Sequence, residues 1–88
     1  MTQPVVTVYT ADWCPYCQRA KSLLEQKQVV FSEINVDEDQ NSREQMIARS
    51  SRRTVPQIFI GDKHVGGCDE LYALDRSGEL DRLIQGAG

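Results

Sequence analysis

The chain is poor in the features that mark several classes of protein. Of its 88 residues, 7% are aromatic, three are cysteine and one is histidine, and the formal net charge is −3. An acidic balance of charge argues against a general nucleic-acid-binding protein. An odd number of cysteines does not fit the paired framework of a small secreted disulfide-rich protein.

Long apolar stretches are missing as well. The sequence has no apolar run of membrane-spanning length, and its start has no basic segment followed by an apolar one. We therefore expect no membrane association and a cytoplasmic location, where reducing conditions allow cysteine pairs to cycle. The length predicts a single domain over residues 1–88 with a modest core.

What the chain does contain is an alternation of β-branched runs and amphipathic segments, which predicts the order β-α-β-α-β-β-α. The predicted strands are 5–10, 29–36, 57–60 and 63–66. The first predicted helix covers 18–28, and the second is capped by Asn41 or Ser42. The last predicted helix begins near Cys68 and has a break at 77–78, and residues 86–88 should fray. The first strand-helix-strand portion predicts parallel pairing through a right-handed crossover.

The motif Trp13 to Cys17, with the sequence WCPYC, lies at the first strand-to-helix turn. Pro15 suits the first turn of a helix, because its missing N–H has no partner there. The free N–H groups and the dipole at a helix start stabilise a thiolate at Cys14. We therefore predict a redox pair in which Cys14 is the nucleophile and Cys17 is the resolving thiol. Trp13 is expected to pack at the turn.

Zinc binding is the alternative chemistry for the cysteines. The chain has four donor residues, which is the number in a structural zinc site; they are Cys14, Cys17, His64 and Cys68. Zinc-binding pairs usually lie in knuckle turns, whereas residues 18–21 continue a helix. His64 lies on an alternating strand, where a solvent-facing imidazole needs no special role. We therefore expect no metal.

Three further features have both an ordinary and a functional explanation. Thr54-Val55-Pro56 alone predicts a loop with a trans proline, since most X–Pro bonds are trans. Gly66-Gly67-Cys68-Asp69 predicts a turn with Asp69 as a helix cap, or else a helix start that binds a carboxylate. The third feature is a set of arginines that form either a solvated face or an anion site, namely Arg43, Arg49, Arg52 and Arg53.

The resemblance to a known family rests on three motifs in this order and spacing: Cys14-Pro15-Tyr16-Cys17, Thr54-Val55-Pro56 and Gly66-Gly67-Cys68-Asp69. From Val5 to Leu83, the chain resembles the dithiol glutaredoxins of bacteria. The resemblance implies an α/β, thioredoxin-like fold, in which a four-stranded mixed sheet is flanked by helices. It also implies a cis Val55–Pro56 bond and a groove beside the cysteine pair that binds glutathione as the co-substrate.

The same resemblance implies the residues that contact glutathione. Val55 pairs with its cysteinyl part through backbone groups, as an added strand would, and Asp69 takes the ammonium of its γ-glutamyl end. The other implied contacts are Tyr16, Arg43, Thr54, Pro56, Gly67 and Cys68. The chain departs from many members of the family at Ala11, where they have a lysine, and this shifts the glycine carboxylate towards Arg43 and the helix dipole.

The implied function is the reduction of protein–glutathione mixed disulfides and of protein disulfides by a monomer. Its roles are cell redox homeostasis and electron donation to reductases, ribonucleotide reductase among them. An iron–sulfur carrier is one alternative. Cluster-carrying members of the family, however, usually have a single cysteine in a Cys-Gly-Phe-Ser motif, and Pro15 and Cys17 distinguish this chain from them. A redoxin served by thioredoxin reductase is another, although thioredoxins have Gly-Pro between their cysteines. Cys68 is either a buried filler or an oxidisable third thiol.

Overall fold

A computed structural model, which describes residues 4–85, has its elements in the predicted order. The strands of this part are β1 Val6–Thr10, β2 Ser32–Asn35, β3 Gln57–Ile60 and β4 Lys63–Gly66. The helices are α1 Pro15–Gln26, α2 Gln40–Ser50, α3 Cys68–Ser77 and α4 Glu79–Ile84. The fraying expected at 86–88 falls outside the described residues.

The strands form one sheet in the order β2-β1-β3-β4. The first two strands pair in parallel, as the strand-helix-strand pattern predicts, whereas β3 is antiparallel to both β1 and β4. The predicted four-stranded mixed sheet of a thioredoxin-like fold is therefore confirmed.

Both faces of the sheet are covered, because successive side chains of a strand point to opposite sides. Val8 and Ile58 point to one face and pack in a core with Leu71 of α3. Tyr9 points to the other face and packs against Met46 of α2. All five of these side chains are fully buried. The sheet thus lies between α2 on one side and the remaining helices on the other.

The boundaries of α1 and β2 differ from those predicted. The buried face of α1 is the predicted one, made of Cys17, Ala20, Leu23 and Leu24. The helix ends earlier, at Gln26, and Gln28 takes a left-handed φ of 59°. The N–H of Val29 then donates to the carbonyl of Leu24 at 2.9 Å instead of joining a strand. The strand accordingly begins later than predicted, at Ser32, and it ends one residue earlier, at Asn35.

The predicted cap of α2 was wrong. The capping residue is Asp39, whose carboxylate accepts the N–H of Asn41 at 2.9 Å. Ser42 lies inside the first turn and donates its hydroxyl to Asp39 at 3.3 Å. An aspartate fills this role because its oxygen reaches the free N–H groups of the first turn.

The break predicted near the end of the chain is confirmed at Gly78. This residue separates α3 from α4 and has a φ of 84°, in the left-handed region that favours glycine. Within residues 4–85, no helix is long and apolar enough to cross a membrane.

Candidate active site

Cys14 and Cys17 form a disulfide at the start of α1, with their Cα atoms 5.2 Å apart. Cys14 is the N-cap of this helix, with extended backbone angles, and Pro15 is its first residue. The Sγ atom of Cys14 accepts the backbone N–H of Cys17 at 3.1 Å. That N–H belongs to the first turn, whose donors have no partner within the helix. After reduction, the same donor favours negative charge on the Cys14 sulfur.

The two cysteines differ in accessibility. Cys17 lies on the buried face of α1 and is 1% exposed, whereas Cys14 is only partly buried. A molecule that approaches the disulfide from solvent therefore meets the Cys14 sulfur first.

The packing predicted for Trp13 was wrong. Its side chain is 100% exposed, and its backbone takes a left-handed φ of 56° just before the extended cap residue Cys14. This chain reversal turns the indole away from the core. Together with Cys14, Pro15 and Gln18, the ring borders a shallow depression of about 300 Å³.

An open groove of about 170 Å³ lies next to the cysteine pair. Three segments that are distant in the sequence form its walls: the start of α1, the loop before β3 and the start of α3. Its lining residues are Tyr16, Arg52, Thr54, Val55, Pro56, Gln57, Gly67, Cys68, Asp69 and Glu70. The fold therefore assembles seven of the eight residues that the resemblance assigns to glutathione.

The loop wall of the groove has the cis Val55–Pro56 bond that the resemblance implied. Behind it, Gln57 is 1% exposed and donates its Nε2 to the carbonyl oxygen of Thr54 at 3.0 Å. The Oε1 atom of Gln57 lies 2.7 Å from Nε2 of His64. The groove loop is thus tied to the sheet by side-chain hydrogen bonds.

His64 does not face solvent as the strand pattern predicted. Its ring is partly buried and stacks on Phe59, with ring centroids 4.9 Å apart. Burial, and next the positive charge of Arg52, lower the pKa of this imidazole from its ordinary value of 6.5.

At the helix wall, α3 has Gly67 as its N-cap, and not Asp69 as the simpler prediction had it. The Oε1 atom of Glu70 accepts the N–H of Gly67 at 2.6 Å and lies 3.3 Å from Nη1 of Arg52. The hydrogen bond from Gly67, together with Arg52, holds the pKa of Glu70 below its ordinary value. Asp69 is left exposed at the groove, where its carboxylate is accessible to a ligand.

Three of the four arginines predicted as a possible cluster have separate partners. Arg43 donates to Asp37 at 2.7 Å, and the guanidinium of Arg49 lies 4.0 Å from the ring centroid of Phe59. Of the four arginines, Arg52 is the one that lines the groove in the described part of the chain. Ligand binding by Arg43 stays a prediction.

Cys68 is the free thiol, buried at 6% exposure where α3 meets the groove. Burial raises the pKa of this thiol above its ordinary value. Over residues 4–85, the structure brings together no group of three or more histidine, cysteine or acidic side chains suited to a metal ion. The four donors counted for the zinc alternative are thus not assembled into one site.

Sequence reasoning missed Gln57 and Glu70 as residues of the groove. A signal for Glu70 was present, because it follows Gly67 by three residues, which is the spacing at which a glutamate reaches back to the cap N–H. For Gln57 no local signal exists, since one of its partners, His64, lies on the next strand.

Comparisons with known proteins agree with this geometry. The model of the glutaredoxin family matches residues 6–65. Glutaredoxin 3 of Escherichia coli strain K12 is 56% identical over 80 residues, which cover 91% of this chain and 96% of that protein.

Two solved structures are similar as well. The solution structure of glutaredoxin from Brucella melitensis has a TM-score of 0.84 and 50% identity, covering 96% of this chain and 91% of that one. The crystal structure of a buckwheat glutaredoxin–glutathione complex has a TM-score of 0.86 and 30% identity, covering 94% and 78%. The chain therefore belongs to the glutaredoxin family and is a thiol–disulfide oxidoreductase with a thioredoxin-like fold.

Proposed function

We propose that the protein uses glutathione to reduce protein–glutathione mixed disulfides and protein disulfides through Cys14 and Cys17. The observation that carries this proposal is an accessible Cys14 and a buried Cys17 at a helix start, directly beside an open polar groove. The whole chain, residues 1–88, acts in this proposal as one monomeric domain in the cytoplasm.

Glutathione is the proposed occupant of the groove, and the buckwheat relative, solved as a glutathione complex, supports it. Asp69 would bind the ammonium of the γ-glutamyl end, while the N–H groups at the start of α3 bind its carboxylate. The backbone of Val55 would pair with the cysteinyl part, with Thr54 and Pro56 on the same wall. Tyr16, which is 57% exposed, would flank the tripeptide.

The glycine carboxylate of glutathione needs a separate partner, because Ala11 supplies no positive charge. Arg43 is the residue proposed for it. Its guanidinium now donates to Asp37, and the pair is about one-third exposed on each side, so Arg43 is able to exchange this partner for a ligand. The positive end of the α1 dipole adds to the attraction.

The proposed reaction with a glutathionylated protein has two steps. The Cys14 thiolate attacks the glutathione sulfur, the protein sulfur leaves with the bonding electron pair, and Cys14 is left joined to glutathione. A second glutathione thiolate then attacks that sulfur and leaves as oxidised glutathione, which returns Cys14 to the thiolate. In sum, one protein mixed disulfide is reduced, and two glutathione units end in one disulfide.

A protein disulfide requires the second cysteine. Cys14 forms a mixed disulfide with one protein sulfur and releases the other. Cys17 then attacks Cys14, frees the protein thiol and closes the Cys14–Cys17 disulfide. Two glutathione molecules reduce this disulfide and restore the enzyme. The burial of Cys17 suits an internal attack better than an attack on a large substrate.

Serine substitutions test the two roles. With a glutathionylated protein as substrate, Cys14→Ser is expected to retain less than about one-thousandth of the wild-type rate, because a hydroxyl is a poor nucleophile at neutral pH. Cys17→Ser is expected to stay active on this substrate and to lose the reduction of protein disulfides. The rate of oxidised glutathione formation, coupled to its NADPH-dependent reductase, measures both.

Other outcomes select the alternatives. If the wild-type protein is inert with glutathione but accepts electrons from thioredoxin reductase, it is the redoxin served by thioredoxin reductase and the glutathione proposal fails. A visible absorbance band after anaerobic reconstitution with iron, sulfide and glutathione would favour the cluster carrier. Electron donation to ribonucleotide reductase, and with it a role in cell redox homeostasis, is part of the proposal and is tested by coupled turnover of the two proteins.

A further inference from the structure

The side chain of Gln57 connects the groove loop to the edge of the sheet. Its Nε2 atom is 3.0 Å from the carbonyl oxygen of Thr54 and 3.2 Å from the hydroxyl oxygen of the same residue. Its Oε1 atom is 2.7 Å from Nε2 of His64, on β4. Because Gln57 is 1% exposed, these protein atoms replace the hydrogen bonds that water would provide.

The partners fix the direction of each hydrogen bond. The carbonyl oxygen of Thr54 only accepts, so the amide group that faces it is the NH₂ of Gln57, and the oxygen of the amide faces His64. Nε2 of His64 must then carry a hydrogen, which it donates to Gln57. The neutral imidazole is thereby held in a single tautomer, with its hydrogen on Nε2.

The ring of His64 is itself held in place. It stacks on Phe59 with an angle of 29° between the ring planes, and Phe59 is 2% exposed. Arg49 lies on the Phe59 ring and also donates to the hydroxyl of Tyr9 at 3.0 Å. The donor that faces Gln57 is therefore anchored to the buried core between the sheet and α2.

We propose that His64, acting through Gln57, is a positioning residue that holds Thr54 and Val55 in the arrangement required to bind glutathione. The inference rests on the proposed function, since Val55 would pair with the cysteinyl part of the tripeptide. Removal of the His64 donor leaves a buried amide oxygen without a partner, so the orientation of the Gln57 amide is no longer fixed. Rotation of the amide turns its oxygen towards the carbonyl oxygen of Thr54 and breaks that hydrogen bond, and the loop then loses its fixed geometry.

A matched pair of substitutions separates the donor from the ring. His64→Phe keeps an aromatic ring to stack on Phe59 but has no N–H. His64→Gln loses the stacking, and its amide nitrogen takes the place of Nε2 as the donor. With a glutathionylated protein as substrate, we expect His64→Phe to raise the KM for glutathione by about fivefold to tenfold, with kcat changed by less than about twofold. His64→Gln is expected to restore a KM near that of the wild type.

The hydrogen bonds from His64 through Gln57 to Thr54 form a relay, and Gln57→Met tests its middle. Methionine has a similar length to glutamine and makes neither hydrogen bond. The substitution is expected to raise the KM for glutathione to the same degree. The double variant with His64→Phe should add nothing further, since both substitutions break one chain of contacts. Reduction of the Cys14–Cys17 disulfide by dithiothreitol, which does not need the groove, should proceed at the wild-type rate in His64→Phe and His64→Gln.

Three results would overturn the relay: equal KM values for His64→Phe and His64→Gln, additive effects in the double variant, or a changed rate with dithiothreitol. A nitrogen NMR spectrum of the imidazole in the wild-type protein decides the matter without any substitution. The relay requires the Nε2–H tautomer, and the Nδ1–H tautomer excludes it. If the wild type shows no dependence on glutathione, the proposed function fails, and this spectrum still judges the hydrogen-bond relay separately.

Discussion

The helices α1 and α3 each begin beside the groove and each have a cysteine at their start, but the two thiols are placed differently. Cys14 precedes α1 as its N-cap, whereas Cys68 is the first residue of α3, after the cap Gly67. Cys14 is only partly buried, and its sulfur accepts a first-turn N–H. Cys68 is 6% exposed, and burial raises the pKa of its thiol.

The comparison shows that a helix start alone does not activate a thiol. An N-cap side chain lies over the free N–H groups of the first turn, and a sulfur in this position gains both a donor and the dipole. At α3, the N–H of Gly67 is already taken by the carboxylate of Glu70. A shift of one residue along the helix, combined with burial, thus separates an accessible sulfur that has an N–H donor from a buried thiol whose pKa is raised.

Alkylation of the reduced protein gives the largest expected contrast. With limiting iodoacetamide at neutral pH, Cys14 is expected to react at least about tenfold faster than Cys68, because the thiolate is the reactive form and has to be accessible. Mass spectrometry of the two tryptic peptides over time measures the ratio. In urea, where both thiols are exposed, the rates should become similar, and comparable rates in the folded protein would remove the distinction.

The start of α3 depends on Gly66, which precedes the cap. Its φ is +119°, and a Cβ atom built there would lie 2.7 Å from Oε1 of Glu70. Gly66→Ala therefore imposes backbone strain and displaces the carboxylate that accepts the N–H of Gly67. We expect a loss of about 2–4 kcal/mol in the free energy of unfolding, measured by urea denaturation of the reduced protein.

Gly78→Ala is the matched control for backbone strain. Its φ of +84° is also unfavourable for alanine, but nothing lies within 4 Å of the added Cβ. It should cost about 1–2 kcal/mol in the free energy of unfolding. Equal losses for the two substitutions would mean that the contact with Glu70 contributes nothing at the start of α3.

Where local chemistry determines the structure, the sequence predicted it well. Pro15 fixes the start of α1 through its own ring, and the position of Cys14 follows from it. The β-branched runs predicted the sheet, because alternating side chains are buried on both of its faces. The cis bond before Pro56 came from family resemblance alone, since the general preference is for trans.

What the sequence did not predict depends on single backbone angles or on distant partners. Trp13 is exposed, and its own backbone has a left-handed φ. A tryptophan in the sequence gives no local sign that its φ will be positive. Either Asp39 or Ser42 has a side chain suited to a helix cap, and only the path of the chain selects the aspartate. The role of Gln57 requires His64 to be placed by the pairing of β3 with β4.

The smallest expected effect is a pH dependence of the free energy of unfolding that comes from the start of α3. The first turn of α3 contains Glu70, whereas the first turn of α1 has no acidic residue. The pKa of Glu70 lies below its ordinary value of 4.5 because the N–H of Gly67, and then Arg52, stabilise its carboxylate in the folded chain. Between the folded and unfolded pKa values, the unfolded chain binds more protons, so stability rises with pH. The contribution of Glu70 is therefore complete above about pH 4.5 and is lost as the pH falls through its folded pKa.

Glu70→Gln keeps an oxygen for the N–H of Gly67 and removes the titration. The difference in the free energy of unfolding between wild type and this variant should accordingly shrink as the pH falls from 7 to 3, as followed by circular dichroism in urea. Glu33, whose pKa is lowered mainly by the hydroxyl of Thr10, titrates in both proteins, so its effect cancels in the difference. Glu44→Gln on α2 controls for the loss of one negative charge. A difference for Glu70→Gln that stays constant over this range would show that Glu70 caps α3 as a hydrogen-bond acceptor, without help from its charge.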